Sequence, residues 1–275
     1  NPELQWAREL AENPFLIFMR TDTKPFGDIR VRQALSMAIN QQEIAKQLYG
    51  GNAEICAWPE PPLEKMYLYV GPSLEKRPES IKELFQYNTD KAKKLLGDAG
   101  YPTGFKTSIL CANFPVYVDT LSLVKDYWAK IGVDLTIDAK EWGVFSSQAV
   151  TKAYKEMVYF YACGLSLPHK FLEAKPGTVF NLSIVNDPYM NERLAQVWAW
   201  GNMQNEALRI KLVHEMSEHY LKQAYTIQLP TAYSYTFYPP WVKNYHGEYS
   251  VGSISQFNFP IWIWIDQDLK KAMGH

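Results

Sequence analysis

The sequence predicts an α/β fold, in which helices pack on the faces of a β-sheet. Strand-like apolar runs alternate with amphipathic helical segments along most of the chain, and this alternation is the pattern of α/β layering. The composition agrees, because 275 residues with 47% hydrophobic side chains suffice for one large domain or two small ones. The sequence contains no internal repeat and no low-complexity tract.

The first predicted elements are a strand and two short helices. The apolar run Asn13–Met19 has the length of a strand. Asp28 is placed to cap the helix that follows, since a side-chain oxygen there accepts from free amides of the first turn. Asn40 caps a second helix, Gln41–Tyr49, which ends at Gly50.

The middle of the chain contains the clearest helix and strand signals. Residues 52–80 are rich in proline and show little periodicity, which predicts a long structured loop. Asn88 caps a helix that ends at Gly100, and a strand follows near Thr107–Ala112. Asp119–Ile131 is an amphipathic helix, and the alternating segment "VDLTID" after it is a half-buried strand.

Further helices and strands complete the pattern. A short helix is predicted after Trp142, a strand at Glu156–Ala162, and helices at Pro188–Trp200 and Asn205–Ala224. The tail is strand-like in three segments, "TIQLP", "YSYTFY" and "FPIWIWI".

Charge and aromatic content limit the classes of partner. The 28 basic and 29 acidic side chains leave a net charge of -1, which gives no electrostatic reason to expect nucleic acid or a membrane surface. The 9 Trp and 18 Tyr residues fit a protein that binds small molecules on flat apolar faces, or a core filled with aromatics. The 3 cysteines form no CxxC pair, so zinc and thioredoxin-like sites are not indicated.

Two segments invite a catalytic or metal interpretation. His214 and His219 are five residues apart, which turns the second about 140° away from the first on a helix. Both histidines are therefore expected to be solvated, and no metal site is predicted. Cys163 beside Gly164 resembles a nucleophile next to an oxyanion-stabilising amide, but a packed or pocket-lining thiol is the favoured interpretation.

Arg30 and Arg32 lie near the start of the first helix, where cations are mildly unfavourable. Because they are two residues apart, they point about 200° away from each other and cannot grip one phosphate together. The prediction is structural: each arginine pairs with a carboxylate, such as Asp28 or a distant acid.

Four segments together resemble one known family. "PFGDIRVRQALSMAINQQEI", "YNTDKAKKLLGDAGYPTGF", "IGVDLTIDAKEWGVF" and "VKNYHG" occur in this order along most of the chain. They resemble signatures of the family 5 extracellular solute-binding proteins, the oligopeptide-, dipeptide- and nickel-type binding proteins of ABC importers. The resemblance implies a lobe of the type II (cluster C) periplasmic-binding-protein fold, with a mixed sheet flanked by helices.

The resemblance also implies a fragment of a two-lobed protein. The signatures belong to the second half of the family, so residues 1–232 are expected to form the C-terminal ligand-binding lobe. Residues 233–275 are expected to be return strands toward the missing N-terminal lobe. In "FPIWIWI" both faces are apolar, since Ile261, Ile263 and Ile265 alternate with Trp262 and Trp264; such a strand requires cover on two sides.

The resemblance further implies which residues contact the solute. Trp142 corresponds to the tryptophan that lines the cleft, and Tyr233 or Tyr235 faces it from the return strand. The segment that supplies backbone contacts corresponds to Tyr161, Ala162, Cys163, Gly164 and Leu165. Leu165 stands where peptide binders carry an aspartate for the peptide ammonium, which argues against ordinary peptide binding, because a buried ammonium would lack its carboxylate. Arg20 replaces the family's usual Asn and is expected at the surface or in an ion pair.

The functional prediction is a substrate-binding component of an ABC importer that captures a peptide or other small solute between two lobes. It implies membrane permease subunits and the missing lobe as partners, no nucleic acid, no cofactor and no catalytic residue. The location is extracytoplasmic, either periplasmic or as a lipoprotein anchored at the cell surface. The alternatives are a cysteine hydrolase that uses Cys163, and a sensory or interaction module built on the same lobe.

Overall fold

The computed structural model describes residues 3–11, 14–60, 71–162, 169–202, 204–246 and 262–275. Within these ranges it confirms the predicted α/β fold. The helices are α1 (Ile29–Met37), α2 (Gln41–Tyr49), α3 (Glu79–Lys82), α4 (Thr89–Asp98), α5 (Pro115–Ala129), α6 (Trp142–Val150), α7 (Pro188–Trp198), α8 (Glu206–Lys222) and α9 (Gln267–Ala272). The strands are β1 (Gln5–Leu10), β2 (Phe15–Met19), β3 (Ala53–Glu54), β4 (Lys106–Ala112), β5 (Asp134–Lys140), β6 (Met157–Tyr161), β7 (Thr226–Gln228), β8 (Thr231–Tyr238), β9 (Val242–Lys243) and β10 (Trp264–Ile265).

The central sheet is mixed and has the strand order β5-β4-β6-β2-β7. Strand β4 runs parallel to β5 and β6, whereas β2 runs antiparallel to β6 and β7. The inner strands are apolar on both faces; Leu16 and Ile17 of β2, for example, are both fully buried. Such strands need helices on each side of the sheet, which is the layered arrangement that the sequence predicts.

The predicted capping residues begin their helices as expected. The Asp28 carboxylate accepts from the Arg30 amide, and the Asn40 side chain accepts from the Glu43 amide. Asn88 in turn caps α4 through the amide of Lys91. Each cap satisfies an amide that has no partner inside its helix, so these boundaries follow from local chemistry.

A second sheet, of order β1-β8-β3, joins a strand near the start of the chain to one that follows the central sheet. Strand β1, which the sequence analysis did not predict, pairs antiparallel with β8 from Gln5↔Tyr238 to Leu10↔Tyr233. The expected division between residues 232 and 233 therefore falls inside β8.

The predicted strand "FPIWIWI" is described only from residue 262 onward, and there only Trp264–Ile265 is strand, paired with β9. The side chains of Trp262 and Trp264 are 69% and 52% exposed. The apolar tail is therefore not sealed inside the part of the chain that the structure describes.

The two arginines near the start of α1 have different environments. Arg30 is exposed and pairs with Asp28 at 2.6 Å, as predicted. Arg32 is buried and bonds no carboxylate of the described residues; it donates instead to the carbonyls of Gln223 (2.8 Å) and Phe26 (2.7 Å). The prediction of a carboxylate partner was wrong for Arg32. Burial lowers its pKa to about 10, and its role is to bind α1 to the end of α8.

The two histidines of α8 are not simply solvated, which corrects that prediction. His214 bonds the buried carboxylate of Glu60, and His219 bonds Asp187 at 2.6 Å. Glu60 also contacts Arg77, at 3.4 Å. Burial raises the pKa of Glu60 in spite of both basic neighbours. Both histidines therefore hold α8 against other segments of the chain.

Candidate functional site

The carboxyl ends of β4, β5 and β6 lie at one edge of the central sheet, because these strands are parallel. Strand β2 is antiparallel to β6 and begins at the same edge, with Phe15 opposite Tyr161. In open α/β sheets, ligands bind in the crevice outside the carboxyl ends of the strands. This edge is therefore the candidate site.

Three aromatic side chains are exposed at this edge, and we call them the aromatic wall: Phe114, Trp142 and Tyr161. They are 41%, 40% and 40% exposed, respectively. Phe114 follows β4, Trp142 follows β5, and Tyr161 ends β6. The ring centroids of Phe114 and Trp142 are 5.9 Å apart.

Two buried phenylalanines support the wall from below. The Trp142 ring is nearly parallel to that of Phe160, with an interplanar angle of 8° and centroids 6.5 Å apart. Phe145 contacts both of these rings, at 5.6 Å and 5.3 Å. Tyr161 stacks on Phe160 at 4.2 Å. Phe160 therefore links Trp142 to Tyr161 through its own ring.

A second set of rings supports the wall from the β2 side. Phe15 lies 4.5 Å from Tyr117 and 6.3 Å from Tyr161, measured between ring centroids. Tyr117 in turn meets Phe114 edge-on at 5.3 Å. Such tilted and edge-on pairs are favourable arrangements of aromatic rings. The wall is therefore continuous with a packed aromatic layer.

Two of the three wall residues are positioned by the starts of helices α5 and α6. Pro115 occupies the first turn of α5, which makes Phe114 the N-cap residue. Glu141 caps α6, where its carboxylate accepts from the amide of Gly143 at 2.7 Å. This cap fixes Trp142 in the first turn of α6. Both rings are therefore positioned by short-range interactions at the ends of parallel strands.

The family of the chain follows from its sequence. Residues 1–173 match the model of the bacterial extracellular solute-binding proteins, family 5, middle region. The match covers more than half of the chain.

The chain belongs to the family 5 extracellular solute-binding proteins.

Curated relatives of this family 5 protein are named as binding proteins. Heme-binding protein A of Haemophilus influenzae is 28% identical over 258 residues, which cover 89% of this chain and 44% of that protein. The dipeptide-binding protein of Pseudomonas aeruginosa is 28% identical over 240 residues, which cover 82% of this chain and 40% of that protein. The chain thus spans less than half the length of these relatives.

Solved structures show the same fold. The periplasmic binding protein DppA from Helicobacter pylori, in complex with the peptide STSA, superimposes with a TM-score of 0.73 at 23% identity. The match covers 96% of this chain and 49% of that one. The predicted periplasmic-binding-protein fold is therefore confirmed. None of the helices in the described ranges has the length and apolar character needed to span a membrane.

The structure brings together two of the residues predicted to contact the solute. Trp142 and Tyr161 lie at the same edge and share the supporting ring of Phe160. Ala162 is fully buried, and its amide donates to the carbonyl of Pro14. Its side chain therefore offers no exposed surface to a solute, and its predicted contribution through the backbone stays a prediction.

The remaining predicted contact residues lie elsewhere or outside the described ranges. Cys163, Gly164 and Leu165 are not among the described residues. Tyr233 and Tyr235 belong to β8 in the second sheet. The Tyr233 hydroxyl donates to Glu54 at 2.6 Å, and the Tyr235 ring lies 6.0 Å from that of Trp6. No ring contact joins either tyrosine to the aromatic wall within the described part of the chain.

The sequence analysis missed Phe114 and the supporting rings Phe145 and Phe160. A usable signal was present, because Phe114 follows the strand β4 just as Trp142 follows β5. The supporting rings carried no such signal, since buried aromatics in any strand or helix look alike in sequence.

Arg20, the other position noted in the sequence, pairs with Asp22 at 2.8 Å, as expected. No group of three or more His, Cys, Asp and Glu side chains in the described ranges is arranged to hold a metal ion.

Proposed function

We propose that this chain is the ligand-binding lobe of a substrate-binding component of an ABC importer, which captures a peptide or other small solute between two lobes. The observation that carries the proposal is the exposed aromatic wall at the carboxyl edge of the sheet, where Phe114, Trp142 and Tyr161 are presented together. Such apolar surface contributes affinity only when a ligand or a second body covers it. The lobe performs no chemistry.

The second sheet supports a two-lobed protein. Trp6 and Phe237 lie opposite each other in β1 and β8 and are 58% and 63% exposed. Residues 1–232 would form the lobe that carries the wall, and residues 233–275 would return toward a second lobe. The length of the relatives leaves room for that lobe. The permease subunits and an extracytoplasmic location, periplasmic or lipoprotein-anchored, belong to the same proposal.

Calorimetry and NMR of this chain test the proposal. A single wall buries only one side of a solute, so calorimetry with di- and tripeptides or heme should show no binding at micromolar concentration. Binding with a millimolar dissociation constant requires only about 4 kcal/mol of binding free energy, which one wall can supply. ¹⁹F NMR of the fluorotryptophan-labelled chain should then show shifts of the Trp142 resonance for at least one of these solutes.

The matched variants are Trp142→Ala and Trp200→Ala. Trp200 is 86% exposed and lies in the 3-10 helix Trp200–Asn202 after α7, which packs on α7 and α8. The proposal expects the solute-induced shifts of neighbouring amides to disappear in Trp142→Ala and to persist in Trp200→Ala. A tight di- or tripeptide complex of this chain alone would contradict the two-lobed mechanism, and shifts that survive Trp142→Ala would contradict the site.

A further inference from the structure

The aromatic wall also indicates which part of a solute it takes, provided that the proposed function holds. Cations lie over aromatic rings at several places in the described ranges. These are Arg8 over Tyr233, Arg32 over Tyr225, Lys130 over Tyr127 and Tyr87, Lys170 over Trp58, and Arg193 over Tyr189. None of them lies over Phe114, Trp142 or Tyr161. Within the described ranges, therefore, no cationic side chain covers a ring of the wall.

The charged side chains that end β5 beside the wall already have partners. Lys140 pairs with Asp138 at 2.7 Å. The Glu141 carboxylate accepts from the amides of Gly143 and Val144. An anionic solute group placed on the wall would lose water without gaining a free cation from these neighbours, and a cation would meet only a Glu141 carboxylate that already accepts two hydrogen bonds. The first turns of α5 and α6 instead add exposed apolar surface, through Val116 and Val144.

The wall is also held in place before any solute arrives. Trp142 rests on Phe145 and lies parallel to Phe160, and Phe114 is held edge-on by Tyr117. Ordering exposed side chains on binding costs conformational entropy, and rings that are already packed avoid most of that cost. A rigid group of the solute therefore suits this surface better than a flexible chain, because neither partner has to be ordered.

We infer that the aromatic wall binds an uncharged, flat, unsaturated ring group of the solute, and that charged groups of the solute are held outside the wall. Ring-on-ring contact supplies affinity beyond the burial of area. The competing reading is a cation–π site for an ammonium group, since a tryptophan face attracts cations. The first hypothesis places a neutral group on the wall and the second a cation, which makes them separable.

Four matched probes distinguish these readings on the fluorotryptophan-labelled chain. N-acetyltryptophanamide is neutral and flat, N-acetylleucinamide is neutral and not flat, and N-acetyllysinamide and tetramethylammonium are cations. The Trp142 resonance should respond to N-acetyltryptophanamide with an apparent affinity about threefold or more above that for N-acetylleucinamide. The two cations should cause smaller shifts still, and the Trp200 resonance should not respond to any probe.

Two conservative variants test the ring preference itself. Trp142→Phe keeps a flat ring, whereas Trp142→Leu keeps only apolar volume. The preference for N-acetyltryptophanamide over N-acetylleucinamide, read from the amide shifts of Val144, should persist in Trp142→Phe and disappear in Trp142→Leu. Equal binding of the two neutral amides to the unaltered chain, or tighter binding of either cation, would overturn the inference.

The outcomes also separate the inference from the proposed function. Where peptides or heme shift the Trp142 resonance but N-acetyltryptophanamide does not, the proposed function stands and the ring preference is wrong. Where neither the solutes nor the four probes shift it, both are wrong.

Discussion

Gln228 bonds the backbone of Trp58 in both directions. The Trp58 amide donates to Gln228 Oε1 at 3.0 Å, and Gln228 Nε2 donates to the Trp58 carbonyl at 3.2 Å. The side-chain amide of Gln228 thus satisfies both backbone groups of Trp58, as the backbone of a neighbouring strand would. Trp58 packs in the same buried cluster as Phe145 and Phe160. The Gln228–Trp58 bonds therefore hold the loop before residue 60 against the two rings that support the aromatic wall.

Replacing Gln228 by methionine should destabilise the protein strongly. The substitution keeps the side-chain volume but leaves a buried amide and a buried carbonyl of Trp58 without partners. An unsatisfied buried group costs about 1–3 kcal/mol, so we expect the free energy of unfolding to fall by about 2–4 kcal/mol. Urea denaturation followed by tryptophan fluorescence measures this change.

The control for Gln228→Met is Gln47→Met in α2. Gln47 is exposed and donates to Glu43 one helical turn away at 2.7 Å. Because water replaces such a bond, the change should cost less than about 0.5 kcal/mol. Similar losses for the two variants would show that the bonds to Trp58 contribute nothing beyond an exposed contact.

The neighbouring arginines of α1 offer a second matched pair. Arg32→Met leaves the carbonyls of Gln223 and Phe26 without their buried donor, and should lower the free energy of unfolding by about 3 kcal/mol or more. Arg30→Met removes only exposed contacts, the ion pair with Asp28 and a hydrogen bond to the Asp98 carbonyl, and should cost less than about 1 kcal/mol. Thermal or urea unfolding of both variants tests the contrast, and equal losses would contradict the structural role assigned to Arg32.

This contrast shows how far sequence reasoning reaches. Arg30 pairs with Asp28, two residues away, and such local partners can be read from the chain itself. Arg32 instead donates hydrogen bonds to carbonyls, one of which belongs to Gln223 at the far end of α8. Nothing in the local pattern identifies that partner. The capped helix starts were predictable for the same reason as the Arg30 pair, since a cap and its amide lie within three residues.

The candidate site likewise has a part that the sequence predicts and a part that depends on the tertiary structure. Trp142 was identified through the family resemblance and the start of a helix after a predicted strand. Its support by Phe145 and Phe160 depends on the order of the strands in the sheet, which brings β5 and β6 to either side of β4. Strand β1 was missed because its partner β8 lies more than 200 residues away, and an amphipathic six-residue edge strand gives a weak signal alone.

The acid Asp187 should make stability fall at low pH. Burial raises the pKa of Asp187, but hydrogen bonds from Tyr225 and His219 outweigh burial and lower it overall. An acid with a lowered pKa in the folded state adds stability above its unfolded pKa, near 3.9, and loses it as the pH falls through the folded value. This contribution should therefore be complete above about pH 5 and should decline as the pH falls below about 4, toward the lower pKa of the folded state.

Asp187→Asn isolates this effect, because asparagine still caps α7 about as well as aspartate. At neutral pH the variant should be less stable by about 1–2 kcal/mol, since two hydrogen bonds lose their charged acceptor. The difference between the two proteins should shrink as the pH falls from 5 to 3. Urea titrations across this range measure it, and a difference that stays constant down to pH 3 would show that the carboxylate charge is not responsible.

The reactivity of the cysteines tests the proposal that this lobe binds a solute and catalyses no reaction. Burial raises the pKa of Cys56 to about 12 and that of Cys111 to about 11. Because the thiolate is the reacting form, both should react slowly with iodoacetamide near neutral pH in the folded chain. A hydrolase that uses Cys163 would need its thiolate to form below about pH 7. The proposed function therefore expects that alkylation rates across pH, resolved by peptide mass spectrometry, show no Cys163 midpoint that low.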